Sequence, residues 1–427
     1  MAPSLAGALA LRLPHYYGWV VLACASAAAF ARAGPAVATL SMFVAPMTSE
    51  FGWSRTGLSG AVSLGGILAA VLSPAIGSLL DRRGPRLILG AAVLSTGVSL
   101  LLLSQIGSLI AFYVLFCTAR MNFAGPFDLG IYGAISNWFV GRRAFAVSIA
   151  NAVEKTGLVL LPLLAYAVIS TQGWRTAWLV IGAVVLLVGF LPSWLLMIRR
   201  PEDIGQVPEG LLSAPAHGGR AQWSFAADAE PVFTRAEALR TRAFWMLSLF
   251  TLMVYPVQAG MSLHQAVHLI ERGFSSGAAA VSVGVLTLSS IVSTFAFGII
   301  PRRIGVPAAL AITGALLIGS ALGMVATTTI TATIVSAAMF GLGVGGLQVV
   351  LPVAWADYFG RRNFGAIRGV ALTIQVTAQA TGPLASGLLR DWTGDYSASL
   401  ITFAVLSAIG AVAALLIKPP PFRAARG

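Results

Sequence analysis

The sequence predicts an all-α integral membrane protein with twelve transmembrane helices in two six-helix pseudo-repeats. Three observations carry this reading. Of the 427 residues, 57% are hydrophobic and only 10% charged, with a mean hydropathy of +0.86. A soluble chain carries about a quarter charged residues. Apolar runs recur twelve times, each near the roughly 20 residues that a membrane-spanning helix needs. Short motifs between the runs of the first half return between the runs of the second at a nearly constant spacing. Such a composition excludes a soluble enzyme and a disordered chain.

The runs lie at about 17–46, 54–80, 85–106, 108–137, 144–170 and 174–198, then at about 242–270, 275–300, 305–326, 330–357, 363–390 and 396–417. They are continuous, so helices fit and the alternating pattern of barrel strands does not. The start, Met1 to His15, holds Arg12 and no apolar core. Tyr17 to Ala31 could mimic a secretion signal, but the run continues to about Ala45 and eleven more follow, which predicts an uncleaved first span. Residues 1–200 are read as an N-terminal six-helix bundle, 201–241 as a cytoplasmic linker and 242–427 as a C-terminal six-helix bundle. The linker carries Pro201, Pro208, Pro215 and Pro231.

Net charge is +13. With both termini placed in the cytoplasm, 20 basic residues fall on cytoplasmic segments and 4 on outer loops, leaving Arg32, Arg120 and Lys155 within spans. This positive-inside bias orients the chain in the cell inner membrane. It assigns the basic excess to anionic lipid heads rather than to nucleic acid. Cys24 and Cys117 both sit in apolar runs, which argues against a disulfide framework or a cysteine metal site.

The repeat is read from paired motifs. Gly77-Ser-Leu-Leu-Asp-Arg-Arg-Gly84 follows span two, and Gly298-Ile-Ile-Pro-Arg-Arg-Ile-Gly305 follows span eight. Trp138-Phe-Val-Gly-Arg-Arg143 follows span four, and Tyr358-Phe-Gly-Arg-Arg362 follows span ten. Gly173 precedes span six as Gly394 precedes span twelve. Two parallel bundles with a site between them is the arrangement such repeats imply.

These residues resemble the major facilitator superfamily. Gly77, Leu79, Asp81, Arg82 and Gly84 match its loop 2–3 signature. More narrowly, the chain resembles the bacterial branch related to monocarboxylate transporters and oxalate/formate antiporters. That likeness rests on Gly52 to Arg55, Asp81 to Arg86, Trp138-Phe139 with Arg142-Arg143, Gly173 to Arg175, and Arg199 to Pro208. It implies the major facilitator fold, a gating loop at Gly77, Asp81, Arg82 and Gly84, and a central cavity lined by spans one, four, seven and ten. In that family Asp81 would cap the start of span eleven, and Arg82 and Gly84 would shape the turn. The second copy departs from the pattern, with Arg302 where Asp81 stands.

An ionisable group inside a span is a functional candidate by default. Asp128, Glu154 and Lys155 lie near the bilayer midplane, roughly 15–17 Å from the inner end of their spans at 1.5 Å per residue. Arg32 and Arg120 lie higher. Two guanidiniums on cavity-lining spans suit bidentate binding of a carboxylate. The alternative is that protein carboxylates or span-end carbonyls neutralise them. Matching depth favours a structural ion pair between Asp128 and Lys155. Glu154 is open to two roles, proton carrier or partner of an arginine. His264 and His268 share one face of span seven, and without a third ligand they imply no metal. His264 is a candidate for substrate or proton contact, with Tyr255, Gln258, Gln375 and Gln379 as further cavity candidates. The glycine run Gly341 to Gly346 lacks the strand and the Lys-Ser/Thr of a phosphate loop and reads as close helix packing. Gly125-Pro126 reads as a bend.

The leading expectation is a secondary transporter for a small organic anion, a monocarboxylate or short dicarboxylate, with proton coupling as one option. It needs no cofactor and is expected to work as a monomer among membrane lipids. An efflux pump for amphipathic drugs or metabolites is the alternative, followed by a membrane sensor that binds without transporting. An enzyme is disfavoured because no catalytic cluster is present.

Overall fold

The structure is a computed structural model that describes residues 5–210 and 231–421. Pro215 of the linker and the terminal Arg423 and Arg426 lie outside the described residues. The helices in order are α1 Leu5–Arg12, α2 Gly18–Arg32, α3 Val37–Phe51, α4 Arg55–Arg83, α5 Pro85–Leu103, α6 Leu109–Ala124, α7 Pro126–Trp138, α8 Arg143–Gln172, α9 Trp174–Val184 and α10 Leu191–Leu195. A π-helical stretch, Val185–Phe190, joins α9 to α10. There follow α11 Arg235–Leu239, α12 Arg242–Glu271, α13 Ser276–Phe297, α14 Pro301–Ile304, α15 Val306–Val325, α16 Ile330–Phe359, α17 Phe364–Thr393 and α18 Ser397–Leu415.

Every apolar run is now a helix or a broken pair of helices. Eleven segments among the described residues are long and apolar enough to cross a membrane. The twelfth, α17, has the length at 30 residues but is more polar, carrying Arg368, Gln375, Gln379, Arg390 and Asp391. Large aliphatic side chains lie bare on the surface, among them Val71, Ile110, Leu288 and Leu384. Water would make that costly, and lipid tails make it favourable. The protein is an integral membrane protein.

The internal repeat is visible in the backbone. Gly52 and Gly273, Gly84 and Gly305, and Gly173 and Gly394 each turn the chain with positive φ, between 68° and 89°. All three pairs have the same separation along the chain. A residue with a Cβ resists that conformation, so glycine ends the preceding helix in both copies. Ser54 and Ser275 repeat at that separation as well. Each side chain caps the helix it precedes, accepting from the amides of Gly57 and Ala278.

Two of the spans are broken, for reasons the sequence supplies. Gly34 and Pro35 interrupt the first, so Arg32 stands in the last turn of α2. Gly125 and Pro126 interrupt the fourth: Pro126 has no amide hydrogen to continue α6 and starts α7 instead. The eight-residue spacing that would align Arg120 with Asp128 therefore does not run through one continuous helix.

The chain divides into two compact units. The first comprises the residues up to Arg235 together with Phe359–Thr373; the second comprises Ala236–Tyr358 and Ile374–Pro421. In the first, α2 packs on α7 and α8, and α5 lies among α6, α7 and α9. The first ten residues of α17 belong to this unit. In the second, α15 runs along α18 and α18 along α12. The glycine run of α16 is packing, as its composition suggested. Gly341 and Gly345 lie against the backbone of α13, and Gly343 and Gly346 against α15.

Candidate functional site

Two in-span arginines of the first unit, Arg32 and Arg120, meet at Phe123, near the end of α6. Arg32 donates from Nε to the Phe123 carbonyl at 2.9 Å. The last carbonyls of a helix lack intrahelical donors, and the break at Pro126 leaves these available. Its Nη1 meets Glu154 Oε2 at 3.4 Å. The guanidiniums of Arg32 and Arg120 lie 4.7 and 4.3 Å from the centroid of the Phe123 ring, a cation–π arrangement. Gly157 brings α8 close to α2: a Cβ there would stand 2.8 Å from the Phe30 carbonyl oxygen. Glu154, one turn earlier on α8, is thereby set opposite Arg32.

Arg120 differs from its neighbour. Among the described residues it has no ion-pair partner, and its Nε is buried without a hydrogen bond. Its stem rests on Gly65 of α4.

Asp128 is in the first turn of α7 and binds Arg368, at 3.1 Å, with the arginine side chain 1% exposed. Arg368 lies inside α17. Tyr132 donates to Asn151 Oδ1 at 2.9 Å. Asp128 precedes Tyr132 by four residues and Lys155 follows Asn151 by four. Across two antiparallel helices that register sets Asp128 and the buried Lys155 at one level.

The loop after α4 is held to the start of α17. Asp81 accepts from the amides of Gly365 at 2.8 Å and Ala366 at 2.7 Å, the first free donors of that helix. Gly77 lies against the Gly365 carbonyl, and Thr373 donates to the Ala70 carbonyl at 2.6 Å. Gly84 makes the turn, with the Arg199 stem packed on it. Arg82, on the same turn, has an exposed side chain with no hydrogen bond among the described residues. Arg302, in the Asp81 position of the second copy, is exposed too. Nearby, Arg361 binds Glu202 and the Asn137 carbonyl. Burial pushes the Glu202 carboxyl up, but the Arg361 contact outweighs it and holds the group below the ordinary range.

The second unit holds the remaining candidates. His264 Nδ1 shares a hydrogen bond with Ser386 Oγ at 2.9 Å, and its ring lies 5.0 Å from that of Tyr396. His268 donates from Nε2 to the Met324 carbonyl at 3.1 Å. Gln379 donates to Gln258 at 3.0 Å. Tyr255 and Gln375 are buried. Neither Phe123 nor Ser386 had been singled out. An aromatic ring and a serine in an apolar span carry no pattern that distinguishes them from packing.

Long apolar helices with charges enclosed among them are the architecture of a polytopic membrane protein. The chain belongs to the major facilitator superfamily, whose family model matches residues 19–374. Monocarboxylate transporter 11 of Homo sapiens is 26% identical over 282 residues, 63% of this chain and 55% of that protein. The protein of the same name in Mus musculus is 26% identical over 402 residues, 90% and 84% of the two chains. The probable sulfoacetate transporter SauU of Cupriavidus necator is 26% identical over 366 residues, 80% of each. Among solved structures, the transporter FucP in its outward conformation aligns with a TM-score of 0.70 and 13% identity, over 93% of this chain and 98% of that one.

Proposed function

We propose that this transporter carries a small organic anion, a monocarboxylate or short dicarboxylate, across the inner membrane by alternating access. The observation that supports it is Arg120. A half-buried guanidinium whose Nε is fully enclosed and which has no counter-ion is costly, and a substrate carboxylate would compensate it. Arg32, on the same aromatic ring, would serve as the second donor. The names of the relatives, monocarboxylate and sulfoacetate transporters, agree with an anionic cargo. His264, Tyr255 and Gln258 are proposed as lesser substrate contacts. The bundles 1–200 and 242–427 would be the moving halves. Gly77, Asp81, Arg82 and Gly84 would form the gating loop, which must release Gly365 and Ala366 when it opens. The protein would act as a monomer with both termini in the cytoplasm.

The test is uptake of labelled acetate, lactate, pyruvate and succinate into proteoliposomes. Wild type is expected to show saturable uptake of at least one. Arg120→Ala should lower kcat/KM for it by about 10- to 100-fold, the loss of a charge-assisted hydrogen bond of about 1.5–3 kcal/mol. Arg120→Lys should retain part of the activity. Uptake unaffected by Arg120→Ala and Arg32→Ala would shift the reading to efflux of neutral or cationic compounds. Binding without uptake would shift it to a sensor.

A further inference from the structure

We propose that the first unit binds one small monovalent anion, chloride in size, between Arg199, Arg200 and Arg361, and that this anion keeps the start of α17 docked. The site lies beside the turn from α4 to α5. It is separate from the arginines at Phe123 and does not depend on the cargo proposed above.

The three arginines meet because three loops meet. Arg199 and Arg200 follow α10, and Arg361 precedes α17. The Arg199 stem packs on Gly84, and its guanidinium donates to the Asp81 carbonyl. Its own carbonyl accepts from Asn137 Nδ2 at 3.2 Å. Arg361 donates to the Asn137 carbonyl at 3.1 Å and pairs with Glu202. Between these groups lies a cavity of about 10 Å³, walled by the three arginines, Asn137, Asp81 and Phe364. That is close to the space one water needs.

Charge and size select the occupant. Arg200 forms no ion pair among the described residues. Burial, and then the like charges of Arg199 and Arg361, hold its guanidinium below its ordinary pKa, with Glu202 and Asp203 opposing. Three cations thus crowd one small space, and an anion among them relieves a repulsion that a water cannot. The nearby carboxylates are otherwise engaged. Asp81 takes the amides of Gly365 and Ala366 on its two oxygens. Asp203 accepts from the Arg200 amide at 3.1 Å. Glu202 is 47% exposed and can leave Arg361 for water. A phosphate or a carboxylate needs room for several heavy atoms, whereas a single-atom anion takes the place of one water. The anion would bridge the segment after α10 to the segment before α17. It therefore binds only while the start of α17 is docked, and it favours that form by a factor of 1 + [anion]/Kd.

The experiment is hydrogen exchange of a peptide covering 363–373, in the full-length protein in detergent. Chloride is titrated against gluconate, which is too large for the cavity, at constant ionic strength. In wild type, exchange at the Gly365 and Ala366 amides should slow saturably, by roughly tenfold at ten times Kd. Arg200→Gln, confirmed as folded by thermal unfolding in gluconate, should lose this response. Arg200→Lys keeps the charge but not the planar fork, so it should raise Kd without abolishing the response. Glu202→Gln frees Arg361 and should lower Kd. Arg120→Ala should respond as wild type does, because Arg120 is not part of this cavity. Wild-type exchange indifferent to chloride would overturn the proposal and leave the cavity to water. An unchanged Kd in both Arg200 variants would overturn it as well. Loss of the response in Arg120→Ala would place the chloride effect at Phe123 and overturn it too.

Discussion

Asp128→Ala is expected to destabilise the protein by about 3–5 kcal/mol, the usual cost of removing one partner from a buried ion pair. Arg368 is 1% exposed and reaches Asp128 at 3.1 Å. Once Asp128 is gone, the guanidinium remains buried without that carboxylate, and the register puts Lys155 beside the same gap. The penalty comes mainly from keeping the cation buried with one carboxylate fewer, and not from the lost attraction. Removing the cation as well should therefore restore much of the stability. Asp128→Ala with Arg368→Met is expected to recover at least half of the loss, since an apolar replacement of similar length is often neutral. Thermal unfolding of detergent-solubilised protein, followed by tryptophan fluorescence, would measure all four corners of the cycle. Additive single effects would mean that the two residues are not coupled, and the pair would then have no special place in the fold.

Much of this architecture was legible in the sequence because lipid leaves the backbone few options. Twelve apolar runs could only be helices. The turn glycines and capping serines recur at one fixed separation because the same backbone conformation is needed in each copy. The Asp81 position was legible through its motif, and its carboxylate does meet the amides of Gly365 and Ala366. Partners of the buried charges were less readable. Depth along a helix places a side chain on the membrane normal but says nothing about the neighbour across the interface. Level thus favours Asp128 with Lys155, while the contact from Arg368, on a helix distant in sequence, leaves no trace in the pattern. The break at Gly125 and Pro126 was anticipated as a bend. Its chemical consequence, an open carbonyl at Phe123 for Arg32, needed three-dimensional contact to be seen.

Gly77→Ala should have a larger effect at the loop than the loss of the Asp81 charge. A Cβ at Gly77 would be driven into the carbonyl group of Gly365, at the start of α17. Backbone has no rotamer with which to step aside, so α4 and this turn of α17 must part. Overpacking of this kind costs about 1–3 kcal/mol. The same displacement stretches both hydrogen bonds from Gly365 and Ala366 to Asp81, now 2.8 and 2.7 Å. Asp81→Asn is gentler. It keeps one acceptor oxygen and loses the charge at a helix N-terminus, worth about 1 kcal/mol. Hydrogen exchange of a peptide covering 363–373 separates the two. Asp81→Asn should speed exchange at its first amides by roughly fivefold, and Gly77→Ala by roughly 5- to 150-fold, converting these energies at about 1.4 kcal/mol per decade. Thr373 should gain less, because its own hydrogen bond to Ala70 lies about two turns further along α17. Unchanged exchange in both variants would mean that other contacts fix the start of α17, and the loop would lose its claim to act as a gate. A response in Gly77→Ala alone would assign the hold to close packing of the two helices, with the carboxylate adding little.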